Sequence, residues 1–241
     1  MSAVLPNGYA VYRNVLAPAT LSELRDAITE TIDRTARALR APFEESAPDA
    51  RFEQRLERIA VRDAAYANAL FHAVMADAHR DPRLGRLAAE RSLSERVAET
   101  LCPLRVTGQV IRPRAAVASL SHAGSPWHQD VLQPSAAPGS CGSVRLACWI
   151  PLTDVDEQTG ALEVIPGAWP EPLPHATNGA GQFHVDADHL PLDARRAIPL
   201  LAGDVLVLDR FVPHRSLPVR AGCVRWAIVM WVKAAPHEEG A

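Results

Sequence analysis

Ser125-Pro126-Trp127-His128-Gln129-Asp130 is the stretch from which the fold and the site of this chain can be worked out. A histidine and a carboxylate stand two residues apart, so in an extended strand both side chains leave the same face. A second histidine, His214, follows the apolar segment 205–208. Two histidines and one carboxylate on one face of an ion form the ligand set of non-haem Fe(II) oxygenases. On its own the pair is a weak signal, because such pairs also occur in surface turns.

An arginine inside an apolar strand is the second signal. Residues 224–232 are apolar except for Arg225, and the period of two puts Arg225 on the face shared with Ala227 and Val229. Arginine is rarely buried without a partner, and a carboxylate is the natural match for its guanidinium group. Either an internal Asp or Glu forms a salt bridge with Arg225, or a bound ligand supplies the anion.

Composition excludes several classes of protein. The 241 residues are 48% hydrophobic and 22% charged, as in ordinary globular proteins, and the net charge of −3 does not favour a nucleic-acid partner. No apolar run reaches the roughly 18 residues of a membrane span, and the N-terminus resembles no secretory signal. The four cysteines form no CxxC pair. We therefore expect a cytoplasmic protein with reduced thiols and no membrane partner.

The order of the predicted elements indicates an α+β chain. A short strand over 8–15 precedes helical periodicity over 21–36, and helical composition continues over 53–101. From Leu104 onward the pattern changes to strands, interrupted by a predicted long loop over 168–197. Helices followed by strands with long excursions are typical of an α+β chain with an antiparallel sandwich or barrel.

Several motifs together resemble the phytanoyl-CoA dioxygenase-like family of Fe(II)/2-oxoglutarate oxygenases. In chain order they are Trp127-His128-Gln129-Asp130, Trp149-Ile150-Pro151-Leu152, the segment 160–167, Ala202-Gly203-Asp204-Val205, and His214-Arg215-Ser216 followed by Arg225. The resemblance implies one domain over 1–241, with a mainly helical support region over 1–103. It also implies a double-stranded β-helix (jelly-roll) core over 104–235, with helices packed outside.

The resemblance implies that His128, Asp130 and His214 bind the metal and form the catalytic centre. Halogenating relatives have Gly or Ala at the position of Asp130, which leaves room for a halide, so the carboxylate favours oxygenation. The implied reaction uses Fe(II), O₂ and 2-oxoglutarate to hydroxylate a small organic molecule, giving succinate and CO₂.

Four further residues match family positions that bind the cosubstrate, and they are Arg225, Gln109, Ser216 and Trp149. The resemblance implies that Arg225 binds the distal carboxylate of 2-oxoglutarate, with the hydroxyl of Ser216 beside it. Gln109 lies on the strand that precedes the metal segment, and Trp149 is expected to pack against the cosubstrate.

Other functions stay open on the sequence alone. The same cofactors support desaturation, epimerisation or ring closure of a natural-product intermediate. A non-catalytic jelly-roll that binds a metal or ligand is a different class, but the complete ligand set with Arg225 weighs against it. A zinc hydrolase is disfavoured because no general base is evident beside His128. Neither the small-molecule substrate nor the choice between a monomer and a homodimer follows from the sequence.

The loops around the expected site differ most from the family pattern. Gly167-Ala168-Trp169 stands where Gly-Ser-His is usual, so substrate class is more open than chemistry. The segments 131–143 and 168–198 flank the site and are candidate lids. His122, with Arg112 and Arg114, could meet an anionic group of the substrate, although a loop histidine is more often solvent-facing.

Overall fold

The computed structural model describes residues 5–39, 47–120, 124–130, 144–179 and 182–236. Its helices are α1 (Pro18–Ala38), α2 (Arg55–Arg62), α3 (Ala64–Asp77), α4 (Pro82–Arg86) and α5 (Arg91–Leu101). Its strands are β1 (Tyr9–Tyr12), β2 (Arg105–Val117), β3 (Val144–Pro151), β4 (Leu162–Val164), β5 (His175–Thr177), β6 (Phe183–Val185), β7 (Arg196–Ile198), β8 (Val205–Asp209), β9 (His214–Ser216) and β10 (Val224–Ala235).

Two antiparallel sheets pack face to face. The larger sheet has the strand order β1-β8-β3-β10-β2, and the smaller one has the order β7-β4-β9. A backbone bridge between His128 and His214 adds the segment around His128, which contains two of the predicted metal ligands, to the β9 edge of the smaller sheet. Strands β5 and β6 form a separate hairpin. This arrangement confirms the predicted α+β class and agrees with a jelly-roll core.

Alternation along β10 divides its side chains between two cores. Trp226, Ile228 and Met230 pack with the helices, whereas Ala227 and Val229 face the smaller sheet. A central strand that is covered on both sides buries residues of both parities, so it is apolar almost throughout. The inward parity also contains Arg225, as the period of two predicts.

The helices cover the outer face of the larger sheet. In α1 a buried stripe at helical spacing consists of Leu21, Leu24, Ile28 and Ile32. Each such side chain contributes about 1.5–3 kcal/mol when it is fully buried. The prediction of helices packed outside the strands is therefore confirmed. Within the described ranges, no helix is both long and apolar enough to cross a membrane.

The long loop predicted over 168–197 is wrong in part. This stretch contains β5, β6 and the start of β7, together with 3₁₀ turns at 187–189 and 192–194. Strands of three residues are too short for a period of two to show in the sequence, and the many Pro, Gly and His residues conceal them further. The candidate lid over 131–143 lies outside the described residues, as does His122.

Candidate metal centre

Three ligating side chains meet at the edge of the smaller sheet. One ligand atom from each of His128, Asp130 and His214 lies within 4.8 Å of the other two. Nε2 of His214 is 3.8 Å from Oδ2 of Asp130, and the two imidazole centroids are 4.3 Å apart. Reciprocal backbone hydrogen bonds of 2.9 Å between the two histidines place their side chains directly opposite each other. The structure thus brings the predicted triad together.

Nδ1, the nitrogen of each imidazole that points away from the triad, forms a hydrogen bond with a backbone carbonyl. Nδ1 of His128 is 2.9 Å from the carbonyl of Pro126, and Nδ1 of His214 is 3.0 Å from the carbonyl of Val212. Because a carbonyl only accepts, Nδ1 carries the proton in each ring and Nε2 keeps its lone pair. Such orientation of the ring by its outer nitrogen is typical of metal-binding histidines.

Burial keeps His128 in the form that binds metals. Desolvation, followed by the neighbouring His214, lowers the pKa of His128 to about 4, while Asp130 acts in the opposite direction. The imidazole is therefore neutral at physiological pH, and no proton has to leave before a metal binds.

Gln129, between two of the ligands, holds the metal segment in place. Its side chain points away from the triad and is buried, with 2% exposure. Its amide oxygen accepts from the backbone N–H of Leu173, and its amide nitrogen donates to the carbonyl of Phe211. Its own N–H donates to Nε2 of His175 at 3.1 Å. Gln129 therefore connects the metal segment to the chain around 173–175 and to the residues before β9.

Replacing Gln129 with alanine will destabilise the apoprotein by about 1–3 kcal/mol, because two backbone groups lose their amide partner. The free energy of unfolding in urea measures this change, and iron titration measures the accompanying loss of metal affinity. Gln109→Ala is the matched control, since Gln109 is exposed on β2 and an exposed substitution changes stability by about 0.5 kcal/mol or less. Equal stabilities of the two variants would contradict the role given to Gln129.

Arg225 is buried beside the triad, and no acidic residue in the described part of the chain pairs with it. Arg225 is 5% exposed, and in the described part of the chain no carboxylate forms a salt bridge with it. Its Nη2 donates to Oγ of Ser216 at 3.1 Å, and its Nε finds no hydrogen-bond partner among the residues that the structure describes. Desolvation, and then the charge of Arg114, lower the pKa of Arg225 to about 10. The residue remains charged at neutral pH, so an anion in front of it would be strongly stabilised.

One cavity joins the triad to Arg225. It has a volume of about 390 Å³, and both Ser216 and Trp149 line it. Trp149 is 4% exposed, and the guanidinium carbon of Arg225 is 5.4 Å from the centre of its ring. Gly160, at φ +85°, lets its turn pack closely against Val219 beside Arg225, since an added Cβ would lie 2.7 Å from the side chain of Val219 and 3.4 Å from Cβ of Arg225.

Gln109 is the predicted site residue that the structure does not bring to the cavity. It pairs with Val232 of β10, and Val232 belongs to the core on the helix side of the larger sheet. Residues opposite each other on neighbouring strands share a face, so Gln109 is on the helix side as well. It is exposed there and does not line the cavity. The expected contact of Gln109 with a cosubstrate is thus not supported.

Arg114, on the opposite face of β2 from Gln109, is a cavity residue that the sequence indicated only as one of several candidates for binding an anion. Arg114 lines the cavity, whereas Arg112, two residues earlier, does not. Trp231, Ser125 and Gln182 also line it and were not predicted. The sequence placed Arg114 on a predicted strand but did not show which face of the sheet it occupies. That face became known only through the pairing of β2 with β10.

Comparison with protein families gives a match over most of the chain. The family model described as phytanoyl-CoA dioxygenase (PhyH) matches residues 5–227. A search of curated proteins finds no significant match to this chain.

Solved structures share the fold at low sequence identity. EvdO2 from Micromonospora carbonacea var. aurantiaca, complexed with 2-oxoglutarate, has a TM-score of 0.55 at 20% identity, covering 98% of this chain and 89% of that one. The epimerase SnoN, in complex with Fe3+, alpha ketoglutarate and nogalamycin RO, has a TM-score of 0.54 at 20% identity, with 98% and 83% coverage. HygX from Streptomyces hygroscopicus, with nickel and 2-oxoglutarate bound, has a TM-score of 0.53 at 14% identity, with 96% and 83% coverage. The cofactors of these neighbours agree with the predicted iron and 2-oxoglutarate.

Proposed function

Because the chain belongs to the phytanoyl-CoA dioxygenase (PhyH) family, we propose that it is a non-haem Fe(II)/2-oxoglutarate-dependent dioxygenase that hydroxylates a small organic molecule. One observation carries the proposal: a buried arginine without an acidic partner faces the same cavity as a His-Asp-His triad. A metal and a dicarboxylate together satisfy both features.

In this proposal His128, Asp130 and His214 would hold Fe(II), and these three ligands are too few to complete its coordination without the cosubstrate. When bound, iron would activate O₂, which is the oxidant, and the conversion of 2-oxoglutarate to succinate and CO₂ would supply two of the electrons that O₂ takes up. The protein contributes binding, orientation and the exclusion of water.

The other cavity residues bind the cosubstrate, exclude water or position the substrate. Arg225 binds the distal carboxylate of 2-oxoglutarate, and Ser216, which already accepts a hydrogen bond from Arg225, positions the guanidinium group. The ring of Trp149 covers the arginine and keeps water from the ion pair. Apolar side chains on either side, Leu162 and Val229, restrict where a substrate carbon can lie.

A zinc hydrolase is the less favoured chemistry. Among the described residues that line the cavity, no Asp, Glu or His is present beyond the triad itself. Metal-assisted hydrolysis ordinarily requires a further acid or base within reach of the attacking water. Arg225 would also have no task in such a reaction.

The proposal extends to the setting of the enzyme. A net charge of −3 supports a small-molecule partner rather than nucleic acid. We place the protein in the cytoplasm as a monomer or homodimer, with residues 1–103 supporting a catalytic core over 104–235.

The test is anaerobic addition of Fe(II) and 2-oxoglutarate to the apoprotein. A visible charge-transfer band is expected with 2-oxoglutarate and not with succinate, which lacks the keto oxygen. In air, a screen over pools of small molecules should then find a compound that increases succinate release. Absence of the band together with absence of succinate release would overturn the proposal, and a band without release from any pool would favour the non-catalytic alternative.

A further inference from the structure

Arg114 is the second arginine of the cavity, and the reaction proposed above gives it no task. It pairs with Ala227 of β10, whose side chain faces the smaller sheet, so Arg114 is on the inward face of the edge strand β2. Its guanidinium carbon lies 5.3 Å from the centre of the Trp231 ring, and both residues line the cavity.

No carboxylate among the described residues forms an ion pair with Arg114. In the described part of the chain no ion pair includes it, and its side-chain hydrogen bond goes to the carbonyl of Pro113, in its own strand. Asp130 acts on it electrostatically but belongs to the triad.

Arg114 is an exposed residue whose guanidinium group is nevertheless partly desolvated by the walls of the cavity. Desolvation, rather than any single neighbour, is the main cause that lowers the pKa of Arg114, and the charge of Arg112 adds to it. Because the residue is exposed, both solvent and a ligand can reach it. A partly desolvated cation at the mouth of a cavity gains most from an anion that enters with it.

With iron and 2-oxoglutarate bound, the cavity would keep an excess positive charge. Fe(II), Arg225 and Arg114 carry four positive charges, whereas Asp130 and a 2-oxoglutarate dianion carry three negative ones. One positive charge therefore remains, and it is on Arg114, since Arg225 is satisfied by the distal carboxylate. With a neutral substrate, solvent alone would compensate that charge, whereas an anionic substrate would pair with it directly.

We propose that Arg114 binds an oxyanion of the substrate, a carboxylate or a phosphate, and that the substrate of this protein is a small organic acid. This inference rests on the proposed function. The ring of Trp231 beside the guanidinium group, with Phe71 and Val229 on the lining, fits an apolar body attached to the anion. The volume of about 390 Å³ restricts the substrate to a small molecule.

The experiment uses anaerobic protein saturated with Fe(II) and 2-oxoglutarate, so that Arg225 is already occupied. Matched probes are titrated by calorimetry: phenyl and short alkyl carboxylates, their primary amides, and the corresponding phosphate esters. We expect wild-type protein to bind the better anion about tenfold tighter than its amide, as a charge-assisted hydrogen bond of about 1.4 kcal/mol predicts. The carboxylate and phosphate arms identify which oxyanion the site takes.

Two variants separate Arg114 from a general effect of positive charge. Arg114→Gln should bind acid and amide equally, whereas Arg112→Gln, on the same strand but outside the cavity lining, should keep the wild-type preference. The proposal is overturned if wild-type protein shows no preference for any anion, including no binding of any probe, or if Arg114→Gln retains the preference. A weakening of 2-oxoglutarate binding in Arg114→Gln by tenfold or more would assign Arg114 to the cosubstrate and also overturn it.

The charge-transfer band is recorded in each sample before a probe is added. Its absence from wild-type protein is a failure of the proposed function, whereas its presence without an anion preference is a failure of the substrate inference alone. Circular dichroism of both variants establishes that neither result comes from unfolding.

Discussion

Replacing His128 with alanine will abolish both the charge-transfer band and succinate release. Two ligands on opposite edge segments remain, and the loss of a direct ligand should lower iron affinity by more than the roughly 10–100-fold that follows the loss of a supporting contact. Neither remaining group can replace the missing nitrogen, because the outer nitrogen of His214 is held by the carbonyl of Val212. Anaerobic iron titration followed by absorbance measures the change directly.

His189→Ala is the control for this substitution, since His189 is exposed in a 3₁₀ turn and does not line the cavity. It should bind iron as the wild-type protein does. The apo forms of both variants should have melting curves close to wild type, because a metal site contributes little to stability before the metal is bound. Full iron binding by a folded His128→Ala variant would show that the metal is held elsewhere.

Arg225→Gln will weaken 2-oxoglutarate binding by about 100-fold or more while iron affinity changes by less than about threefold. Truncating one partner of a buried charge pair costs about 2–5 kcal/mol, and each 1.4 kcal/mol corresponds to a factor of ten. Since the pKa of Arg225 is about 10, the guanidinium group stays charged up to roughly pH 9 and the effect should be independent of pH over the neutral range. Titration of 2-oxoglutarate into the Fe(II)-loaded protein, read by the band, gives both affinities.

Arg225→Lys should recover only part of this loss, because an ammonium group keeps the charge but not the paired donors that match a carboxylate. Arg220→Gln serves as the control: it removes an exposed arginine close in sequence and should leave cosubstrate binding unchanged. If Arg225→Gln lost iron and 2-oxoglutarate to the same degree, the residue would support the metal site rather than bind the cosubstrate.

Strand periodicity predicted which side chains share a face on β10 but not on β2. On β10 the residues of one parity are Arg225, Ala227 and Val229, and the apolar pattern alone identified their common face. On β2 the same reasoning did not suffice, because an edge strand with exposed residues carries no clear apolar alternation. The role of Gln109 came from the resemblance and not from strand periodicity, and only the register of β2 with β10 showed that Gln109 lies on the helix side while Arg114 lines the cavity.

The sequence by itself determined the α+β class, the metal-ligand types and the inward parity of Arg225, because local spacing and the period of a strand are properties of neighbouring residues. Only the tertiary structure decided three further points. It placed His128 opposite His214 through a backbone bridge, it showed Arg225 without an acidic partner among the described residues, and it put Arg114 in the cavity. The bridge and the position of Arg114 depend on strand register, and the lack of an acidic partner depends on which side chains surround Arg225. Register and surroundings are both set by contacts between residues far apart in the chain.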